Sequence, residues 1–283
     1  MTIRRTTTAA AAIALAATSL AACGSSGGSS GSGSSGAASG AAGGETIKVG
    51  IKFDQPGLGL KEGSSYSGFD VDLAKYIAKE MGKTPEFVEA VSAQREATLQ
   101  AGKVAYIVGT YSITDKRKEK VSFAGPYFVA GQDLLVRADD TSITGPDALS
   151  GKKLCSVKGS TSATKIKDQY PNVQLQEYDT YSKCVEAIIS GSVDALTTDN
   201  TILSGYAAQE QYKGKLKLAG KPFSEEKYGV GIKKGDKEMC TKVTDALKKM
   251  KSSGELKKVV EANLGPAGFT VTDDMMPEPA ACS

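Results

Sequence analysis

The chain has 283 residues, with 35 Lys plus Arg against 32 Asp plus Glu, five Cys and no His. A sequence without histidine cannot build Ser-His-Asp or Cys-His catalysis, and it lacks the commonest metal ligand. Loss of residues 1–22 takes away Arg4 and Arg5 and leaves 33 basic against 32 acidic residues, a balance that gives no electrostatic basis for nucleic-acid or acidic-polymer partners.

The first 22 residues carry charge at Arg4 and Arg5, an uncharged Ala-rich run from Ala9 to Ala17, and small residues before Cys23. That order predicts a secretory signal peptide, too short and too weakly apolar to span a bilayer alone. Leu20-Ala21-Ala22-Cys23 resembles the lipobox of bacterial lipoproteins. The resemblance implies that the Cys23 thiol is diacylated, becomes the new N-terminus and holds the chain on the outer face of the cytoplasmic membrane. Two or more acyl chains anchor durably, whereas one does so only marginally. Gly24 to Gly44 contains only Gly, Ser and Ala, so it cannot bury a core. Residues 23–44 therefore read as a lipid-anchored flexible linker, with an r.m.s. reach of roughly 25 Å from about 5.5 Å times the square root of its length. Residues 45–283 remain, enough for two lobes.

Ile47, Val49 and Ile51 alternate with polar residues and predict a half-buried first strand. Leu73, Ile77 and Met81 follow Asp70 at helical spacing, and Gly82 is placed to end that helix. A helix from Gln94 to Ala101, a strand from Val104 to Val108 and a strand from Leu134 to Arg137 come next. Beyond the Pro146 turn the pattern predicts strand 153–157, helix 161–170, strand 173–178, helix 181–190, strand 194–198 and helix 201–211. Strands near 216–218 and 228–232 lead to a helical hairpin carrying Met239, Val243, Leu247 and Met250, turning at Gly254 and continuing through Leu256, Val260 and Leu264. The last residues read as an irregular tail. Strands alternating with helices of this length imply right-handed βαβ units and an α/β chain with mainly parallel sheets.

Besides Cys23 there are four cysteines, Cys155, Cys184, Cys240 and Cys282. In an exported protein an even number suggests two disulfides with three connectivities. Proximity favours Cys155–Cys184 within one region and Cys240–Cys282 pinning the tail. No Cys-x-x-Cys spacing occurs, so no redox or zinc chemistry is indicated.

Polar groups collect at strand ends and helix starts in four places: Lys52 with Asp54; Ser92 with Arg95; Thr110, Ser112 and Arg117; and Ser160 to Ser162 with Thr198 and Asp199. In parallel α/β sheets, ligands sit at such ends. A free amino acid needs a guanidinium fork and backbone N–H groups for its α-carboxylate, and a carboxylate with hydroxyl or carbonyl acceptors for its ammonium. Arg117, Ser112 and the Ser160–Ser162 turn can supply the first set, Asp199 and Thr110 the second. Arg95 with Ser92 can hold an acidic side chain. The same residues also have plain structural readings. Ser160, Thr161 and Asp199 are helix caps by default, Arg117 in a charged run reads as one charge on a solvated face, and Arg95 as a surface helix residue.

Three motifs, Gly68-Phe69-Asp70-Val71-Asp72-Leu73, Ile113-Thr114-Asp115-Lys116-Arg117 and Phe123-Ala124-Gly125-Pro126-Tyr127, resemble the solute-binding components of amino-acid ABC importers, the family 3 periplasmic-type binding proteins. Residues 54–60, 92–96, 174–181 and 194–199 narrow the resemblance to glutamate-binding lipoproteins of actinobacterial type. The resemblance spans essentially all of 45–283. It implies a two-lobed periplasmic-binding-protein fold of type II, with 45–127 and 228–283 as lobe 1, 128–227 as lobe 2, and a ligand cleft between them. It further implies capture of an acidic amino acid, foremost L-glutamate, by lobe closure, and delivery to ABC permease subunits by a monomer with no cofactor and no enzymatic activity.

Position by position, the resemblance puts Arg117, Ser112, Ser160 and Thr161 at the α-carboxylate, and Asp199 with the Thr110 carbonyl at the ammonium. Arg95, Ser92 and Lys52 then stand at the side-chain carboxylate, and Asp54 lines the same cleft. Tyr181 stands where some relatives place a ligand-contacting His. Ala105 departs from a Gly-Lys-x-Asp pattern at a position expected to be structural. Cys155 and Cys184 match paired cysteines of the subgroup. Glutamine, asparagine and aspartate share the α-amino-acid grip. Sensing through a membrane partner and a dehydratase-like enzyme on the same fold, using Asp54 or Asp199, are the competing functions.

Overall fold

The alternation of Ile47, Val49 and Ile51 does form a strand, β1 (Thr46–Ile51), with those three side chains buried and Thr46 and Lys48 exposed. In this computed structural model residues 44–283 are described; the signal peptide 1–22, Cys23 and the linker up to residue 43 lie outside the described residues.

After β1 comes a short meander, β2 (Asp54–Gln55), β3 (Gly59–Glu62) and β4 (Ser65–Ser67). Helix α1 (Phe69–Glu80), β5 (Thr84–Glu89), α2 (Arg95–Gln100), β6 (Tyr106–Ile107), α3 (Asp115–Lys118) and β7 (Val121–Ala130) follow. α1 buries Leu73 and Ile77 and ends before Gly82, which takes a left-handed φ of 68° that a side chain would disfavour. The second run is β8 (Gln132–Arg137), β9 (Lys153–Val157), α4 (Thr161–Gln169), β10 (Gln174–Tyr178), α5 (Tyr181–Ile189), β11 (Ala195–Asp199), α6 (Asn200–Ala208) and β12 (Leu216–Leu218). The chain returns through β13 (Glu226–Lys233) to the hairpin of α7 (Lys237–Ser252) and α8 (Glu255–Leu264), which turns at Gly254 as its sequence predicts.

Two five-stranded sheets result, ordered β5-β1-β6-β13-β7 and β10-β9-β11-β8-β12. Each is half parallel. β1 pairs in parallel with β5 and β6, and β9 with β10 and β11, as βαβ alternation demands. The remaining pairs are antiparallel because β8 and β13, the strands by which the chain passes directly from one sheet to the other, each run against both their neighbours. β7 reaches β8 across Gly131 alone, and β13 lies antiparallel along β7, with Tyr228 opposite Phe128 and Lys227 opposite Val129. The lobe boundaries expected from the sequence, 127/128 and 227/228, therefore fall opposite one another in these paired strands.

β5 and β7 escape sequence reading for one reason. Each contains a proline, Pro85 or Pro126, that marks a turn in one dimension, yet both are edge strands where a missing N–H is tolerated. The C-terminal tail covers the β7 edge: Ser283 exchanges backbone hydrogen bonds with Phe123, and Ala280 bridges to Gly125. The disulfide Cys240–Cys282 fastens that tail to α7, and Cys155–Cys184 ties β9 to α5 with Cα atoms 5.6 Å apart. Both pairings are those favoured by proximity. Ala105 is structural: its N–H donates to the Lys48 carbonyl, and its methyl packs half-buried against the main core.

Candidate functional site

All four polar groups of the sequence lie where strands of the two sheets end. Lys52 follows β1; Gly109 to Ser112 follow β6; Ser160 follows β9 and opens α4; Thr198 and Asp199 close β11. Ser92 and Arg95 sit in a 3-10 turn and the first position of α2, directly after β5.

Arg95 and Arg117 are no surface residues; they are 2% and 8% exposed. Arg95 donates from Nη1 to the Gly109 carbonyl at 2.8 Å, its guanidinium stands 4.1 Å from the centre of the Tyr111 ring, and its Nε is buried without a hydrogen-bond partner. Arg117 donates from Nη1 to the Ser112 carbonyl at 2.8 Å and from Nη2 across to the Gly159 carbonyl at 3.0 Å. Its Nε lies 3.4 Å from Glu96 Oε1, and its guanidinium is 5.0 Å from the same Tyr111 ring. Burial, and next the charge of Arg95, push the Arg117 guanidinium down to about 10.

Lys52 is a third buried cation. Its Nζ lies 3.4 Å from Ser92 Oγ, 3.9 Å from Asp54 Oδ1 and 5.9 Å from the centre of the Tyr181 ring. Burial pulls its pKa down to about 8 against the opposing pull of Asp54. The Asp54 carboxylate is itself turned to the other lobe. Oδ2 accepts from the backbone N–H of Tyr181 at 2.8 Å and of Ser182 at 3.5 Å, at the start of α5, while the Tyr206 hydroxyl donates to the Asp54 carbonyl. An anion at a helix N-terminus meets both free N–H groups and the positive end of the dipole.

Thr110 holds a left-handed φ of 45°, rare for a residue with a Cβ. Its N–H donates to Asp70 Oδ2 at 3.2 Å, and its hydroxyl meets the Gln55 amide. Asp70, fully buried, also accepts from the Tyr127 hydroxyl at 3.2 Å; burial outweighs both bonds and raises its pKa to about 7. Ser112 Oγ meets Thr161 Oγ1 across the cleft at 3.3 Å. Ser160 accepts from the Ala163 N–H at 3.0 Å, so its hydroxyl does cap α4.

Asp199 precedes α6 without capping it. One carboxylate oxygen accepts from the Tyr228 hydroxyl at 2.7 Å, and the other is buried with no hydrogen-bond partner. Burial, and next the charge of Glu226, raise its pKa to about 7. Glu226 in turn is bonded to Lys165 and Ser224. Thr198 Oγ1 and Ser162 Oγ are likewise buried without partners. A cavity of about 390 Å³ is lined by Ser92, Glu96 and Arg117 from one side of the cleft and by Gly159 and Thr161 from the other; Asp199, Thr198, Ser162 and Arg95 are not in its wall.

The arrangement offers guanidinium and ammonium groups from one lobe, and hydroxyls with a half-free carboxylate from the other. It suits a small zwitterion. Sequence reading passes over Tyr111, Glu96 and Glu226. Tyr111 looks like core within a polar run, and the two glutamates look like members of exposed charged stretches.

Residues 47–266 match the family model of bacterial extracellular solute-binding proteins, family 3. This chain belongs to that family. As a solute-binding protein it is a binding molecule and not an enzyme. It is 45% identical to glutamate-binding protein GluB of Corynebacterium glutamicum, over 96% of each chain. It is 38% identical to the ABC transporter glutamine-binding protein GlnH of Bacillus subtilis, over 85% of this chain and 90% of that one. Among solved structures, an ancestral arginine-binding protein bound to glutamine superposes with a TM-score of 0.74 at 36% identity, covering 78% of this chain and 98% of that one. Two lobes, each built on a mixed sheet, are the shared architecture.

Proposed function

We propose that this solute-binding protein captures L-glutamate between its lobes and hands it to the permease of an ABC importer. The observation that carries the choice of an acid over an amide is Arg95. Among the described residues, Lys52 and Arg117 each have a carboxylate within salt-bridge distance, whereas Arg95, equally buried, has none. A buried charge is costly unless paired, so an anionic ligand group is the partner that suits this guanidinium. The 45% identity to a glutamate-binding protein supports the same choice, and the 38% identity to a glutamine-binding one makes glutamine the alternative to exclude.

In this reading Arg117, Ser112 and Thr161 hold the α-carboxylate, with Ser160 fixing the start of α4 beneath it. Asp199 takes the ammonium, aided by the Thr110 carbonyl. Arg95, Ser92 and Lys52 face the side-chain carboxylate, and Tyr181 lines that end. Asp54 we assign to closure, since its carboxylate is engaged by α5. The paired strands β7 and β13 serve as the hinge between lobe 1 (45–127 and 228–283) and lobe 2 (128–227). A ligand that bridges both lobes stabilises only the closed arrangement. Acylation at Cys23 would keep the protein beside its permease at high effective concentration; the mass of detergent-extracted protein tests it.

Calorimetric titration with glutamate, glutamine, aspartate and asparagine tests the substrate. Glutamate is expected to bind tightest, and Arg95→Ala is expected to weaken glutamate far more than glutamine. Tight glutamine binding with no heat from glutamate would overturn the reading.

A further inference from the structure

The two arginines share one aromatic platform, and nothing in the grip of an amino acid requires that. We infer that Tyr111 is a positioning residue for side-chain selectivity: its ring holds the Arg95 guanidinium, next to that of Arg117, in the geometry that favours an anionic side chain. This rests on the glutamate reading proposed above and specifies how the site achieves it.

Both guanidiniums bear on the same ring, Arg95 at 4.1 Å from its centre and Arg117 at 5.0 Å. Two buried like charges this close repel, and only Arg117 has a nearby carboxylate, Glu96, to offset it. The negative face of an aromatic ring is the neutral group best able to attract a guanidinium. Arg95 has otherwise one hydrogen bond in the described structure, from Nη1 to Gly109, and one bond does not by itself set the plane of the group.

The platform itself is fixed. Tyr111 is fully buried and meets Phe123 edge-on with ring centres 4.8 Å apart. A Cβ at Gly231 would lie 2.6 Å from a Tyr111 ring carbon, so that strand gives way to the ring. The Tyr111 hydroxyl is buried with no partner within 3.5 Å, although it lies close enough to Glu96 to feel that carboxylate. The ring is the part that faces both guanidiniums.

The experiment titrates glutamate and glutamine into four proteins: wild type, Tyr111→Phe, Tyr111→Leu, and a protein with 3,4,5-trifluorophenylalanine at 111, which keeps the ring shape but depletes its face of negative charge. Tyr111→Phe is expected to keep both affinities within about twofold of wild type. The trifluorinated ring and Tyr111→Leu are expected to weaken glutamate by about tenfold and glutamine by less than threefold. The fluorinated protein decides the matter even where Tyr111→Leu does not fold. An unchanged glutamate-to-glutamine ratio between the phenylalanine and trifluorophenylalanine proteins overturns the role of Tyr111 while leaving glutamate binding intact. Wild type that binds glutamine and not glutamate removes the glutamate reading and this inference with it.

Discussion

Asp199 and Asp70 are carboxyls that titrate near neutrality, because burial strips the water that would stabilise their charge. For Asp199 the consequences have opposite signs in the free and the liganded protein. Free, its pKa is raised from 3.8 to about 7, so between those values the folded state binds more protons than the unfolded one and loses stability as pH rises. Asp199→Asn removes that penalty: the free variant should melt above wild type at pH 8, by less as pH falls, and together with it only below 3.8, the unfolded value. An ammonium, however, needs the ionised carboxylate. Wild-type affinity should therefore be flat above pH 7 and fall by roughly tenfold per unit below it, with calorimetry in two buffers showing proton release on binding. Asp199→Asn should flatten that profile and weaken every amino acid. A wild-type profile flat from pH 5 to 8 would remove Asp199 from the ammonium site.

At the scale of the element, the turn between β9 and α4 packs directly against the backbone of the opposite lobe. Gly159 has a φ of 78°, and a Cβ there would lie 2.6 Å from the Ala93 Cα. Neither atom is the free end of a flexible side chain. Gly159→Ala should hold the lobes apart and weaken ligand by about a hundredfold, while the left-handed backbone costs the free protein only about 1–2 kcal/mol. Titration and melting curves of the same preparation check both. Equal affinity with unaltered melting would mean that the turn adjusts freely. Elements differ in how far sequence reveals them. α1, α5 and the α7–α8 hairpin are legible because burial follows their 3.6-residue period, β9 and β11 because they are buried runs between helices, and the edge strand β10 because exposed Gln174 and Gln176 alternate with half-buried Leu175. β5 and β7 are not, since proline in an edge strand has the same local signature as proline in a turn. α6 stops at Ala208, three residues short of the Gln211 that its composition predicts.

At the scale of the whole molecule, the lobes meet through contacts that no ligand makes. Asp54 receives the start of α5, Tyr206 reaches the Asp54 backbone, and Arg117 and Ser112 touch Gly159 and Thr161. Asp54→Ala should therefore speed ligand release by about three- to tenfold, the value of one charge at a helix N-terminus with its hydrogen bonds, with little change in association rate. Stopped-flow measurement separates the two rates, and an unchanged release rate would count against a closure role.

The sequence alone determined the alternating α/β class, the absence of histidine chemistry and the residue types that can grip an amino acid, and it favoured the two cysteine pairs that the structure contains. Those are properties of composition, period and proximity along one chain. Only the tertiary structure decided what each polar group does: Asp54 is bound by backbone groups 127 and 128 positions away, Asp199 keeps one oxygen free, and Arg95 is buried without a carboxylate beside it. Whether a charge is paired, capped or free depends on which neighbours folding brings within about 3 Å, and no local pattern records those neighbours.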